Sequence, residues 1–117
     1  AMDLRDKLFL DYCEYLRGPE RPTAIFAYSD NVAPTIYQAA NLVGLKLPDD
    51  LSIIGHAGLD FSDLLLPRLT TIYQDARQIG ATAAGMLFER INGFDGPPRK
   101  AVNEVKLVER DSIKNMN

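Results

Sequence analysis

Three polar clusters in this chain have residue types that could do chemistry, and each closes an apolar run. Ser29-Asp30 follows Ala24 to Tyr28, Gly55-His56-Ala57-Gly58 follows Leu51 to Ile54, and Gln74-Asp75 follows Leu69 to Tyr73. A hydroxyl next to a carboxylate caps a helix N-terminus, and an open helix start also suits a polar or anionic ligand group. His56 is the only histidine. Without a second His, a Cys or a carboxylate at ligand spacing it makes a weak metal or catalytic site, and packing is the plainer role. The plainer role of Gln74 is a strand-end residue bonding to backbone. Asp49-Asp50 and the Asp60/Asp63 pair fit a solvated turn and a capped helical turn better than a metal site. The single Cys13 excludes an intrachain disulfide and a cysteine-based metal site. It lies at or beside the apolar face of a helix and is expected to be packed. The chain has no Gly-rich phosphate loop, nucleophile elbow or Cys-His pairing. No catalytic residue, metal or cofactor is expected, and the protein is not read as an enzyme.

The elements that must hold these clusters follow from periodicity. Leu4, Leu8, Tyr12, Tyr15 and Leu16 recur at helical spacing from Asp3 until Gly18-Pro19 stops the helix. Ala24 to Tyr28 is wholly apolar, as in a strand covered on both faces. The helix that follows is capped by Ser29 or Asp30, tolerates Pro34 in its first turn and ends near Gly44. Leu51 to Ile54 reads as a strand, Gly55 to Gly58 as a turn, and Phe61 to Leu66 as one or two helical turns. Leu69 to Tyr73 is a third strand. Asp75 caps a long helix to Asn92, with Gln78 placed for a capping-box partner. Val105 and Leu107, and Val102 less clearly, suggest a last strand before a polar, frayed tail over 113–117. Strands alternating with helices predict an α/β fold, a parallel sheet with helices on both faces. Ligands on such sheets sit beyond the carboxyl ends of the strands, where all three polar clusters fall.

Composition bounds the rest. A chain of 117 residues is at most one domain, large enough for its own core. The net charge of −3 and a pI near 5.0 argue against this piece gripping a phosphate backbone. No apolar run is long enough to span a bilayer, and the N-terminus lacks a signal pattern, so no membrane partner is expected. The cytoplasm is the default compartment. Ala1-Met2 reads as a tag remnant ahead of an excised piece.

Several motifs stand in fixed order: Arg21-Pro22-Thr23-Ala24-Ile25-Phe26-Ala27-Tyr28-Ser29-Asp30, Gly44 to Gly55 with Leu47-Pro48-Asp49-Asp50 inside it, and Pro67-Arg68-Leu69-Thr70-Thr71-Ile72-Tyr73-Gln74. Over roughly Thr23 to Ser112 the chain resembles the effector-binding core of lactose-repressor-type (LacI/GalR family) transcription regulators. The resemblance implies one lobe of a periplasmic-binding-protein-like fold. It also implies a small-molecule effector held between two lobes, a homodimer, and operator DNA bound only through a helix-turn-helix headpiece that this chain lacks. A fragment of a solute-binding protein for a sugar transporter is the competing reading, since it shares the two-lobed fold. Effector-binding positions carried over by the resemblance are Ser29, Asp30, Ala57 and Gln74. Two depart from the family's pattern: Ser29 stands where Asn is common, and Ala57 stands where an Asp accepts hydrogen bonds from the effector. The departure at Ala57 suggests an effector other than a simple sugar. The family's two-fold contacts map onto Pro34, Tyr37, Leu64 and Leu65. Residues 3–112 are read as the C-terminal lobe plus a helix over 75–92 that crosses the hinge to a lobe absent here. Uncovered, that helix is expected either to fold back on the sheet or to pair with a second copy, the latter favoured.

Overall fold

The computed structural model describes residues 1–117. Its elements in chain order are α1 (Leu4–Arg17), β1 (Ala24–Phe26), α2 (Ala33–Leu42), β2 (Ser52–Ala57), β3 (Thr70–Gln74), α3 (Ala76–Ile91) and β4 (Val105–Val108), with short 3-10 turns over Asp30–Val32 and Asp60–Leu64. Asp3 caps α1 by accepting the Arg5 N–H, and Gly18 ends it. Ser29 takes the capping role at the next start, accepting the Asn31 N–H at 3.3 Å, and Pro34 sits in the first turn of α2, where its missing N–H costs nothing. Asp75 caps α3 by accepting the Gln78 N–H at 3.0 Å, one half of the expected capping box.

The sheet runs in the order β1-β2-β3-β4. β1, β2 and β3 are parallel, with Ile25 opposite Ile53 and Gly55 opposite Thr71. β4 is antiparallel to β3, pairing Val105 with Gln74 and Val108 with Thr71. β2 extends through Ala57, so the expected Gly55–Gly58 turn begins only at Gly58. The β3 partner strand holds Gly55, His56 and Ala57 in the ladder.

Alternation along the strands sends Ile53 and Gly55 to one face and Ile54 and His56 to the other. On the first face α1 and α2 pack together, and their Cys13, Leu16, Ile36, Ala39 and Ala40 join Leu51, Ile53 and Leu69 in a single core. Each of the larger core side chains contributes about 1.5–3 kcal/mol by burial. The inner face of α1 is Phe9, Tyr12, Cys13 and Leu16. Leu4, Leu8 and Tyr15 of the expected stripe stay exposed. On the second face Phe26, Val105 and Leu107 are exposed, so helical cover within this chain reaches one face only.

The reason is the direction of α3. None of its residues is buried, and Ile79, Leu87, Phe88 and Ile91 face solvent. The chain spans 59 × 44 × 26 Å with a radius of gyration of 18.7 Å, against about 13 Å for a compact domain of this length. The helix leaves the sheet and does not fold back. Of the two expected outcomes, folding back on this chain's own sheet does not occur, and the apolar face of the helix stays open within the chain.

The frayed tail is corrected in part. Just ahead of the tail, Ser112 is fully buried and its carbonyl accepts the Ile53 N–H at 2.8 Å. Its hydroxyl donates to the Ile53 carbonyl at 2.5 Å and accepts the Thr70 N–H at 2.8 Å. The Lys114 N–H reaches Ser52 Oγ at 2.9 Å.

Candidate functional site

Because β1, β2 and β3 are parallel and in close register, their carboxyl ends share one edge of the sheet. Ser29, Ala57 and Gln74 all lie on that edge. Ala57 and Gln74 line a common cleft of about 430 Å³ with Gly58, Asp60, Tyr73 and Arg77. Ser29 stands outside it, committed to capping, and Asp30 lies beneath it.

Asp30 is fully buried, and donors from two other segments enclose its carboxylate. Oδ2 accepts the Leu59 N–H at 2.8 Å and the Ser62 hydroxyl at 2.6 Å. Oδ1 accepts the Thr71 hydroxyl at 2.6 Å. Thr71 Oγ1 in turn accepts the Gly58 N–H at 3.3 Å. No buried side-chain polar atom lacks a partner. Burying a carboxylate is tolerable only with such compensation. Asp30 thus does not face the cleft as the resemblance implied. It ties the end of β1 to the loop after β2 and to β3.

The turn held by Asp30 is unusual. Ala57 has φ +111°, a region that L side chains rarely adopt, and costs about 1–3 kcal/mol. Gly58 follows at φ +70°, and a Cβ there would meet the Tyr73 ring at 2.6 Å. The ring therefore lies against the Gly58 backbone and presents a partly exposed aromatic wall to the cleft. An aromatic wall, the Gln74 amide, a methyl group at Ala57 and the charges of Asp60 and Arg77 make a cleft that can hold a small molecule with apolar and polar parts. They do not make a nucleophile–base pair, and no cluster of His, Cys, Asp or Glu is placed to hold a metal ion.

The positions mapped to the two-fold contact lie on another surface. Pro34 and Tyr37 are half-buried on α2, and the Tyr37 hydroxyl donates to the Pro67 carbonyl at 2.9 Å. Burial pushes the Tyr37 phenol up to about 12. Leu64 is 79% exposed, but Leu65 turns inward onto the core, so Leu66, 87% exposed, joins Leu64 outside. A connection of three leucines cannot turn all of them one way. The Leu64–Pro67 loop is pinned on its far side, where Arg68 bonds Asp111 at 2.7 Å and both Arg68 and Arg110 lie within 3.6 Å of Asp63. The Arg68 guanidinium holds the Asp111 carboxyl below its usual range.

Sequence reasoning missed Gly55, Ser62, Thr71 and Ser112. A glycine inside a strand signals close backbone approach, and buried Thr or Ser at strand ends signals polar partners. Only the Gly55 signal was strong enough to have been read.

The profile of the periplasmic binding protein-like domain family matches residues 1–113. The HTH-type transcriptional repressor PurR of Photobacterium profundum is 36% identical over 104 residues, 89% of this chain and 31% of that protein. The chain thus spans about a third of the length of the curated relatives it matches. Among solved structures, a LacI family transcriptional regulator from Enterococcus faecalis with bound ribose superposes with a TM-score of 0.83 at 33% identity, covering 98% of this chain and 43% of that one. The lac repressor dimer bound to operator and an anti-inducer superposes at 0.80 with 28% identity, covering 90% and 36%.

Proposed function

We propose a function on one premise: the chain belongs to the periplasmic binding protein-like domain family, in its lactose-repressor-type branch. It is one lobe of the effector-sensing domain of a bacterial transcription regulator. A small molecule binds against the strand-end cleft and is closed upon by a second lobe. Closure changes the grip of a DNA-binding headpiece on its operator, a coupling free energy between two sites through a two-state hinge. The chain senses and does not catalyse, and the regulator works in the cytoplasm as a homodimer.

The observation that carries this reading is the shared strand edge. Ala57 and Gln74 line one cleft there, and the next element, α3, departs from the lobe at that point. Effector contact is proposed for Ala57 and Gln74, with Ser29 at the rim. Two-fold contact is proposed for Pro34, Tyr37 and Leu64, with Leu66 in place of Leu65.

Ala57 brings no carboxylate, so the effector is recognised without the charge-assisted hydrogen bond, worth about 1.5–3 kcal/mol, that a sugar hydroxyl would make there. The Tyr73 wall favours an effector with a flat or apolar face. The test is a thermal-shift panel on the full-length regulator with ribose, lactose and planar heterocycles, followed by operator binding with each hit. A planar compound that shifts both melting and operator affinity is expected. Ligands that raise the melting temperature yet leave operator affinity unchanged would overturn the regulatory reading.

A further inference from the structure

We propose that Asp30 is the positioning residue of this cleft, setting the Ala57–Leu59 turn from below while making no contact with the effector. This rests on the reading of the strand edge as the effector site and adds how that edge is shaped.

Ala57 is held at φ +111°, where an unconstrained alanine would relax. Something must over-determine that conformation. The peptide N–H groups immediately after it are fixed by one hub: Leu59 N–H bonds Asp30 Oδ2 directly, and Gly58 N–H bonds Thr71 Oγ1, whose own proton goes to Asp30 Oδ1. The Ser62 hydroxyl closes the far side of the loop on the same carboxylate. One buried carboxyl group therefore holds the turn after β2 and the start of β3, segments 29 and 41 residues away in sequence.

The surroundings leave Asp30 no other job. It is fully excluded from solvent, and both oxygens are in use. Gly55, directly across the ladder from Thr71, supplies the room: a Cβ there would stand 2.1 Å from Oδ1. Tyr73, the aromatic wall, follows Thr71 by two residues and lies on Gly58. A shift of the hub would thus move the turn and the wall together.

The test reads local order in the full-length regulator by amide hydrogen exchange, without any effector. In Asp30→Asn, an isostere that cannot accept all three donors, exchange at Gly58 and Leu59 should rise about tenfold or more, while Ile36, Ala39 and Ala40 in α2 stay within about threefold. Uniform acceleration across both sets, or no change at Gly58 and Leu59, would overturn the proposal. If Asp30→Asn does not fold, Ser62→Ala removes one donor only and should give the same local pattern more weakly. A merely structural carboxylate would lower protection everywhere. This readout needs no ligand, so failure to find an effector would count against the function and leave the positioning role standing or falling by itself.

Discussion

The bare Cα of Gly55 and the carboxylate of Asp30 share one space: a Cβ at position 55 would lie 2.1 Å from Asp30 Oδ1 and 2.9 Å from Leu69 Cδ2. Neither neighbour can yield. Asp30 is locked by three donors and Leu69 is fully buried. Gly55→Ala should therefore destabilise the lobe by about 3 kcal/mol, at the upper end of overpacking costs. Denaturant titration checks this, and an unchanged midpoint would mean that the carboxylate is free to move.

Ala57 should respond in the opposite sense. Gly adopts φ +111° without strain, so Ala57→Gly should stabilise by about 1 kcal/mol, the relieved strain less the added chain entropy. Asp at this φ carries the backbone strain that Ala already bears. Ala57→Asp should therefore fold and restore an acceptor at the cleft. In the full-length regulator it should strengthen binding of a polyol such as ribose by about tenfold or more, read by calorimetry. Equal ribose binding by both forms would show that other groups supply recognition.

Ser112 closes the base of the sheet with one hydroxyl that serves both the Ile53 carbonyl and the Thr70 N–H. Ser112→Ala leaves both unpaired in the interior, at about 2 kcal/mol or more. Removal of residues 114–117, by contrast, keeps half-buried Ile113 in place, forfeits the Lys114 bond to Ser52 and should cost less than about 1 kcal/mol. Equal losses in the two variants would contradict the role given to Ser112.

Tyr37 gives the lobe a dependence on alkaline pH. Its ordinary value is 10.0, and burial pushes it up to about 12. The unfolded chain therefore releases this proton first. Stability from the neutral phenol is complete below pH 10 and is lost as pH rises toward about 12. Tyr37→Phe should flatten that decline in unfolding curves taken between these values. At the acid end Asp111, lowered by Arg68, contributes above its ordinary 3.8 and loses that contribution as pH falls below it. The pair is exposed, so its share is small.

The strands, the helices and the common edge were legible because each is a local pattern: an apolar run, a 3.6-residue stripe, a capping residue before it. The polar interior was not. Asp30 reads locally as a helix cap, and nothing near it in sequence announces Thr71, 41 residues on. Ser112 sits among Arg110, Asp111 and Lys114 and reads as a polar end, yet its partner is Ile53, 59 residues back. Leu64-Leu65-Leu66 shows the same limit. The triplet announces an apolar surface, but only the path of the loop decides that Leu65 turns in and Leu66 out.

The apolar face of α3 is largely open to solvent. Leu87, Phe88 and Ile91 are 60–67% exposed, and no residue of the helix is buried. Substituting Leu87→Lys and Ile91→Lys should leave the unfolding of this lobe within about 0.5 kcal/mol of the parent, the usual range for surface changes. The helix itself is held by its Asp75 cap and, at its far end, by Arg90, which donates to the carbonyls of Phe94, Gly96 and Pro97. In the full-length regulator the result should differ. There the resemblance sends the helix across the hinge to a second lobe, and each buried leucine or isoleucine would contribute about 1.5–3 kcal/mol. The same double substitution should then lower the melting temperature of the full-length protein and expose the hinge to protease. A double variant that is silent in both proteins would mean that α3 stays uncovered in the regulator as well. A variant that destabilises the isolated lobe would mean that the helix folds onto it in solution.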